Sequence, residues 1–130
     1  MKTEYFDLKN KRALISGGAS GIGSSIVEHL CEQGVEVYFF DIDKKEAKKT
    51  INKIKKKKLN IPNFVECDIK NIKKYKSSIL NIIKKQGPID ILVNNASNDQ
   101  RHSLEKITEK YWDDRMAINL KHYLFAIQSV

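Results

Sequence analysis

Arg12-Ala-Leu-Ile-Ser16-Gly17-Gly-Ala-Ser20-Gly21-Ile22-Gly23 opens on a short apolar run and closes on a glycine cluster. By length and β-branching, residues 12–16 read as a buried strand. From Gly21 the spacing changes to Ile22, Ile26, Val27 and Leu30, a helical period that stops at Gly34. Strand, glycine turn and helix therefore succeed one another without a break.

Working outward, Val35-Glu-Val-Tyr-Phe-Phe40 is a second β-rich run, and Asp43 and Glu46 are spaced like a helix cap and its N3 partner. Ala47, Ile51 and Ile54 supply that helix's apolar stripe. Ile61-Pro-Asn-Phe-Val65 fits a third strand, its proline tolerable at the start of an edge strand. Ile72, Tyr75, Ile79, Ile82 and Ile83 mark a third helix ended by Gly87-Pro88. Ile89-Asp-Ile-Leu-Val93 is a fourth strand. The chain re-enters a helix near Thr108, with Ile107 and Trp112 spaced as a hydrophobic staple across the cap, and this fourth helix runs to Val130 without a stop signal. Strands alternating with helices at these lengths call for a parallel sheet with right-handed crossovers. The expected class is α/β, a Rossmann-type doubly wound sheet ordered 3-2-1-4 and truncated after the fourth helix. A ligand crevice should open where the order reverses, between the first and fourth strands.

A length of 130 residues is one domain's worth of chain, and with 41% hydrophobic and 31% charged residues it should fold around a core. The formal net charge of +8 comes almost wholly from lysine, the arginines being Arg12, Arg101 and Arg115. Lysines 44, 45, 48, 49, 73, 74, 84 and 85 fall on the polar sides of the expected helices, so a solvated face explains them. Weak, salt-sensitive polyanion binding would follow from that charge, but no specific nucleic-acid partner is expected. No apolar run reaches a membrane span's length and the N-terminus lacks a signal-like apolar stretch, which predicts a cytoplasmic protein without a membrane partner. Cys31 and Cys67 lie far apart, and His29, His102 and His122 have no metal-ligand spacing; no metal site is expected, and each histidine reads as a helix or loop surface residue.

Three segments should converge on the carboxyl ends of the strands. A diphosphate needs main-chain N–H groups that approach it closely and deliver it to a helix N-terminus. Gly17 allows the turn, Gly21 the close pass, and Gly23 the packing of helix on strand. Asp41, at the end of the second strand, is placed to accept the hydroxyls of an adenosine ribose and to repel a 2′-phosphate, which argues for NAD over NADP. Asp41 also fits an ordinary turn or cap. Asp68-Ile69 follows the third strand, where the aspartate is either a cap or an adenine contact. Asn94-Asn95-Ala96-Ser97 follows the fourth.

Taken together, Ser16-Gly-x-x-x-Gly-Ile-Gly23, Asp41, Asp68-Ile69, Asn94-Asn-Ala and Asn119 in Met116-Ala-Ile-Asn-Leu120 resemble the short-chain dehydrogenases/reductases over the whole chain. The resemblance implies that Gly17, Ser20, Gly21, Ile22, Gly23, Asp41, Asp68, Ile69, Asn95 and Ala96 form the dinucleotide site. It also implies that Asn119 is the asparagine of the family's Asn-Ser-Tyr-Lys tetrad. Ser16 replaces the usual threonine and Ser97 the usual glycine. The stretch from Asn95 to His102, with Tyr111-Trp-Asp-Asp-Arg-Met116, is similar to a bacterial sugar dehydrogenase subgroup that oxidises an aldose at its anomeric carbon to a lactone.

The function so implied is NAD-dependent hydride transfer between nicotinamide and a small-molecule secondary alcohol or sugar carbon, in a protein that is a homo-oligomer when complete. The family's catalytic serine and Tyr-x-x-x-Lys have no counterpart in their expected context. The 130 residues are therefore expected to be an incomplete dinucleotide-binding domain that is inactive alone. The alternative is a non-catalytic NAD-binding fragment or truncated gene product, and a weaker one is a lysine-rich nucleic-acid binder.

Overall fold

The computed structural model describes residues 3–130. Its strands are β1 (Arg12–Ser16), β2 (Glu36–Asp41), β3 (Asn63–Glu66) and β4 (Ile91–Asn94), all parallel in the order β3-β2-β1-β4. The helices are α1 (Gly21–Glu32), α2 (Lys44–Lys56), α3 (Ile72–Gln86), α4 (Glu109–Met116) and α5 (His122–Ile127). The expected doubly wound sheet and its strand order are thus observed, with strand ends shifted by one or two residues.

Alternation along β1 and β2 explains the three layers. Ala13, Ile15, Val37 and Phe39 face Val27 of α1 and Ala47 and Ile54 of α2. Their sequence neighbours Leu14, Tyr38 and Phe40 face the other way, onto Tyr75, Ile79 and Ile82 of α3 and Ala126 of α5. Both faces of a central parallel sheet are covered, so these strands read as continuous apolar runs. Leu14, Ile15, Phe39 and Phe40 have no exposed surface, and each such side chain contributes roughly 2 kcal/mol of burial. Phe40 meets the edge of Tyr75 with ring centroids 5.0 Å apart.

Helix starts follow the expected chemistry in part. Asp43 caps α2 by accepting from the N–H groups of Lys45 (2.9 Å) and Glu46 (3.0 Å), but the Glu46 carboxylate pairs with Lys49 instead of closing a reciprocal box. Thr108 caps α4 through the Tyr111 N–H, whereas Ile107 and Trp112 remain exposed, so the expected staple covers little. The expectation of one uninterrupted fourth helix is corrected: Ala117–Lys121 forms a π turn between α4 and α5, the kind of insertion that recurs at functional sites.

The lysines of α2 are exposed, as a solvated face requires. Lys53 of α2 and Lys57, which caps its end, have a further role: Glu28 of α1, whose side chain is 8% exposed, pairs with Lys53 at 2.6 Å and with Lys57. Those hydrogen bonds, Lys53's above all, hold the Glu28 carboxyl below its ordinary value of 4.5. A lowered folded pKa gives stability that is present above the unfolded pKa and lost as pH falls through the folded one. The Glu28→Gln variant is expected to be less stable than the wild type by about 1 kcal/mol at pH 7, the lysines being partly solvated. Urea unfolding repeated below pH 4 should find the difference narrowing; a gap that widens on acidification would contradict the assignment.

Candidate functional site

The crevice lies at the carboxyl ends of β1 and β4, where the strand order reverses. It encloses about 600 Å³, and Gly17, Ser20, Ile22, Gly23, Asp41, Asp68, Ile69, Asn95 and Ala96 all line it. That volume falls within the range of small-molecule and cofactor sites. Of the residues expected at the site, Gly21 is not in contact with this space and Asn119 stands behind the loop that borders it.

The glycine turn is held from two sides. The N–H groups of Gly17 and Gly18 donate to the Phe40 carbonyl at 2.8 and 3.3 Å, and the Ala19 N–H donates to Asp41 Oδ2 at 3.0 Å. From α2, the buried Thr50 hydroxyl donates to the Ala19 carbonyl at 2.8 Å. Gly17 has φ +70° and Gly21 φ +54°, both in the left-handed region that glycine tolerates. A Cβ on Gly21 would meet nothing within 4 Å, so its demand is conformational and a side chain there would enter open space. Gly23 is a packing position: its Cβ would lie 1.8 Å from the Gly17 carbonyl oxygen. The contact is with the turn's own backbone, which is tighter than the expected helix-on-strand packing. The first turn of α1 leaves its N–H groups without helical acceptors, and the N-cap Ser20 side chain does not cap them. Unmatched donors and the positive end of a helix dipole thus face the same end of the sheet.

Asp41 serves as both lip and brace. Besides the Ala19 N–H, its Oδ1 accepts from Ile42 N (2.8 Å) and Asp43 N (3.0 Å). A carboxylate offers about four acceptor sites; with three filled, one remains on Oδ2. Asp68 likewise turns the chain into α3 by accepting from Lys70 N at 2.9 Å, while Ile69 is buried against the core.

The opposite wall is tied to β1. Asn95 Nδ2 donates to the carbonyls of Ser16 (3.1 Å) and Gly17 (3.0 Å). The N–H groups of Asn95 and Ala96 both donate to Ser16 Oγ at 3.1 Å. Asn119, in the π turn, uses its whole amide on one residue: Oδ1 accepts from Asn98 N at 2.7 Å and Nδ2 donates to the Asn98 carbonyl at 3.0 Å. Its place inside a helix therefore has a structural reason, the fastening of loop 95–98.

Residues that the sequence pattern did not single out for the crevice also line it: Lys70, Asp114 and Arg115. Asp114 bridges Lys70 (3.0 Å) and Arg115, and the Arg115 guanidinium lies 5.4 Å from the Tyr111 ring centroid. His122 corrects its surface assignment, since it is fully buried beside Ser16, while His29 and His102 are exposed. Cys31 and Cys67 are buried free thiols, and burial pushes Cys31 up to about 12, far from a reactive thiolate. Tyr5 and Lys9 have the spacing Tyr-x-x-x-Lys, but they border a separate recess with Gln33 and Gly34, near the amino ends of the strands. Among the described residues no three His, Cys, Asp or Glu side chains are grouped to hold a metal, and no helix is long and apolar enough to cross a membrane.

A family model described as short chain dehydrogenase matches residues 11–130. The chain belongs to the short-chain dehydrogenase family, an oxidoreductase family that works with nicotinamide cofactors. It is 39% identical over 126 residues to D-xylose 1-dehydrogenase of Caulobacter vibrioides, covering 97% of this chain and 49% of that protein. It is 34% identical over 128 residues to a probable galactose dehydrogenase of Rhizobium meliloti, covering 98% and 50%. Among solved structures it is similar to aldohexose dehydrogenase of Thermoplasma acidophilum, with a TM-score of 0.79, 30% identity, and 95% and 44% of the two chains covered. The chain spans about half the length of the curated relatives it matches.

Proposed function

We propose that the 130 residues are one dinucleotide-binding domain whose crevice takes NAD, in an enzyme that transfers hydride between nicotinamide and a secondary alcohol or sugar carbon. The observation that supports this most is the Asp41 carboxylate, set beside the glycine turn with one acceptor site still open. The residues fit the cofactor. Ser20, Ile22 and Gly23 would hold the pyrophosphate at the uncapped start of α1, across a turn that Gly17 makes possible, with Gly21 leaving the space over that start bare for its close pass. Asp41 accepts from the adenosine ribose and opposes a 2′-phosphate, Asp68 and Ile69 border the adenine, and Asn95 and Ala96 wall the other half.

When bound, the nicotinamide accepts or supplies the hydride. The chain's own part is to orient it. Asn119, the tetrad asparagine by family position, acts here through Asn98 and so is assigned to positioning. The family's serine and Tyr-x-x-x-Lys have no match at their positions in these residues, so no residue of this chain is assigned the proton transfer. The substrate class is read as an aldose oxidised at C1 to a lactone. Its supports are the sugar dehydrogenases among the relatives and the polar loop from Asn98 to His102, which is fastened by stacking of His102 on Tyr111 at 4.1 Å.

Titration of NAD into the ¹⁵N-labelled chain tests the site. The amides of Gly17, Gly21, Ile22, Gly23, Ile42, Asn95 and Ala96 are expected to move together. Shifts confined to the lysine-bearing faces of α2 and α3, or no shifts, would overturn the reading.

A further inference from the structure

We propose that His122 is a positioning residue of the crevice, acting through Ser16 as the acceptor that fixes the Ser16 hydroxyl beneath loop 95–96. The argument is one of hydrogen-bond capacity. A serine hydroxyl has two lone pairs and one proton. Ser16 Oγ receives the N–H groups of Asn95 and Ala96, each at 3.1 Å, which occupies both lone pairs. Of the remaining polar neighbours, the Tyr75 hydroxyl does not meet hydrogen-bond geometry, so the proton goes to His122 Nε2, at 3.2 Å. Nε2 must then carry a lone pair, so the imidazole is neutral with its proton on Nδ1, a buried nitrogen that makes no hydrogen bond of its own. Full burial agrees with a neutral ring, because desolvation pushes His122 below its ordinary 6.5.

This bond joins distant parts of the chain. The β1–β4 ladder ends at the pair Ser16 and Asn94. Past it, the serine side chain takes over as acceptor for the next two N–H groups of β4's strand direction, and α5 secures that serine from below. The buried Tyr75 hydroxyl stands beside the same serine without a well-formed hydrogen bond, and it is the other group toward which a Ser16 proton released from His122 could swing. Without the imidazole acceptor, the hydroxyl is free to turn and surrender one of the two amides.

What the loop serves rests on the cofactor reading above, but the bond itself does not, and the test separates them. In the wild-type chain, ¹⁵N spectra of the imidazole should show Nε2 unprotonated and Nδ1 protonated; a protonated Nε2 overturns the proposal without any variant. His122→Phe keeps a ring but removes the acceptor, and it is expected to raise amide exchange at Asn95 and Ala96 and weaken NAD binding by roughly fivefold, the effect of one hydrogen bond. His122→Gln, which places an acceptor near the Nε2 position, should recover most of both. In a Ser16→Ala background, His122→Phe should add nothing further at Asn95 and Ala96. Additive effects, or no recovery by a folded Gln variant, would reduce His122 to core packing. Should the wild type fail to bind NAD, the cofactor reading falls while exchange at Asn95 and Ala96 still decides the role of His122.

Discussion

Gly23→Ala is expected to lower the stability of the chain by about 3 kcal/mol or more and to abolish NAD binding. The added methyl would sit 1.8 Å from the Gly17 carbonyl oxygen and 2.7 Å from Asn95 Nδ2. Neither neighbour can retreat cheaply. The Gly17 carbonyl is backbone and already accepts from Asn95 Nδ2 at 3.0 Å, so moving it breaks the tie between the turn and the β4 loop. Thermal unfolding should show a midpoint lower by roughly 10 °C. Gly21→Ala is the informative comparison. Its Cβ meets nothing within 4 Å, so the cost is confined to a left-handed backbone, roughly 1–2 kcal/mol, while the methyl enters the space over the first turn of α1. That variant should remain folded and bind NAD poorly. If Gly23→Ala melted like the wild type, the packing of turn against helix described here would be wrong.

Much of this architecture was legible because its signals are local. The change of period at Gly21, the stop at Gly34 and the cap at Asp43 each depend on residues within a few positions of one another, and Asp41 is marked by standing where an apolar run ends. The sheet order followed from alternation and handedness. What the pattern did not reveal depends on partners remote in the chain. Ser16 and His122 are 106 positions apart, and a histidine within a helical stretch carries no sign of what it faces. A signal existed: Ile118, His122 and Ala126 recur every fourth residue, which puts the histidine on the line of the buried Ala126. The π turn at Ala117–Lys121 contains neither proline nor glycine and so had no marker. Glu28 finds its lysine partners on α2 and at the cap that follows it, remote in the chain, and Arg115 reaches the crevice from a helix whose weak periodicity does not reveal its inward face.

The second large effect concerns Asp41. Asp41→Ala removes the acceptor for three N–H groups, at Ala19, Ile42 and Asp43, and the carboxylate proposed to meet the ribose. Hydrogen bonds to a charged group contribute about 1.5–3 kcal/mol each, so NAD affinity should fall on the order of tenfold to a hundredfold. NADP should respond differently. In the wild type a 2′-phosphate bound as proposed would meet a like charge and find no cation in Ile42, which is exposed at the same lip; placing like charges together costs several kcal/mol. The variant relieves that repulsion while losing the ribose contact.

The most direct test of a dinucleotide held at this crevice is therefore the ratio of NAD to NADP affinity, measured by calorimetry on the wild type and on Asp41→Ala. The account predicts a wild-type preference for NAD of at least about thirtyfold, collapsing toward parity in the variant. Equal wild-type affinities, or a preference that survives removal of the carboxylate, would contradict it.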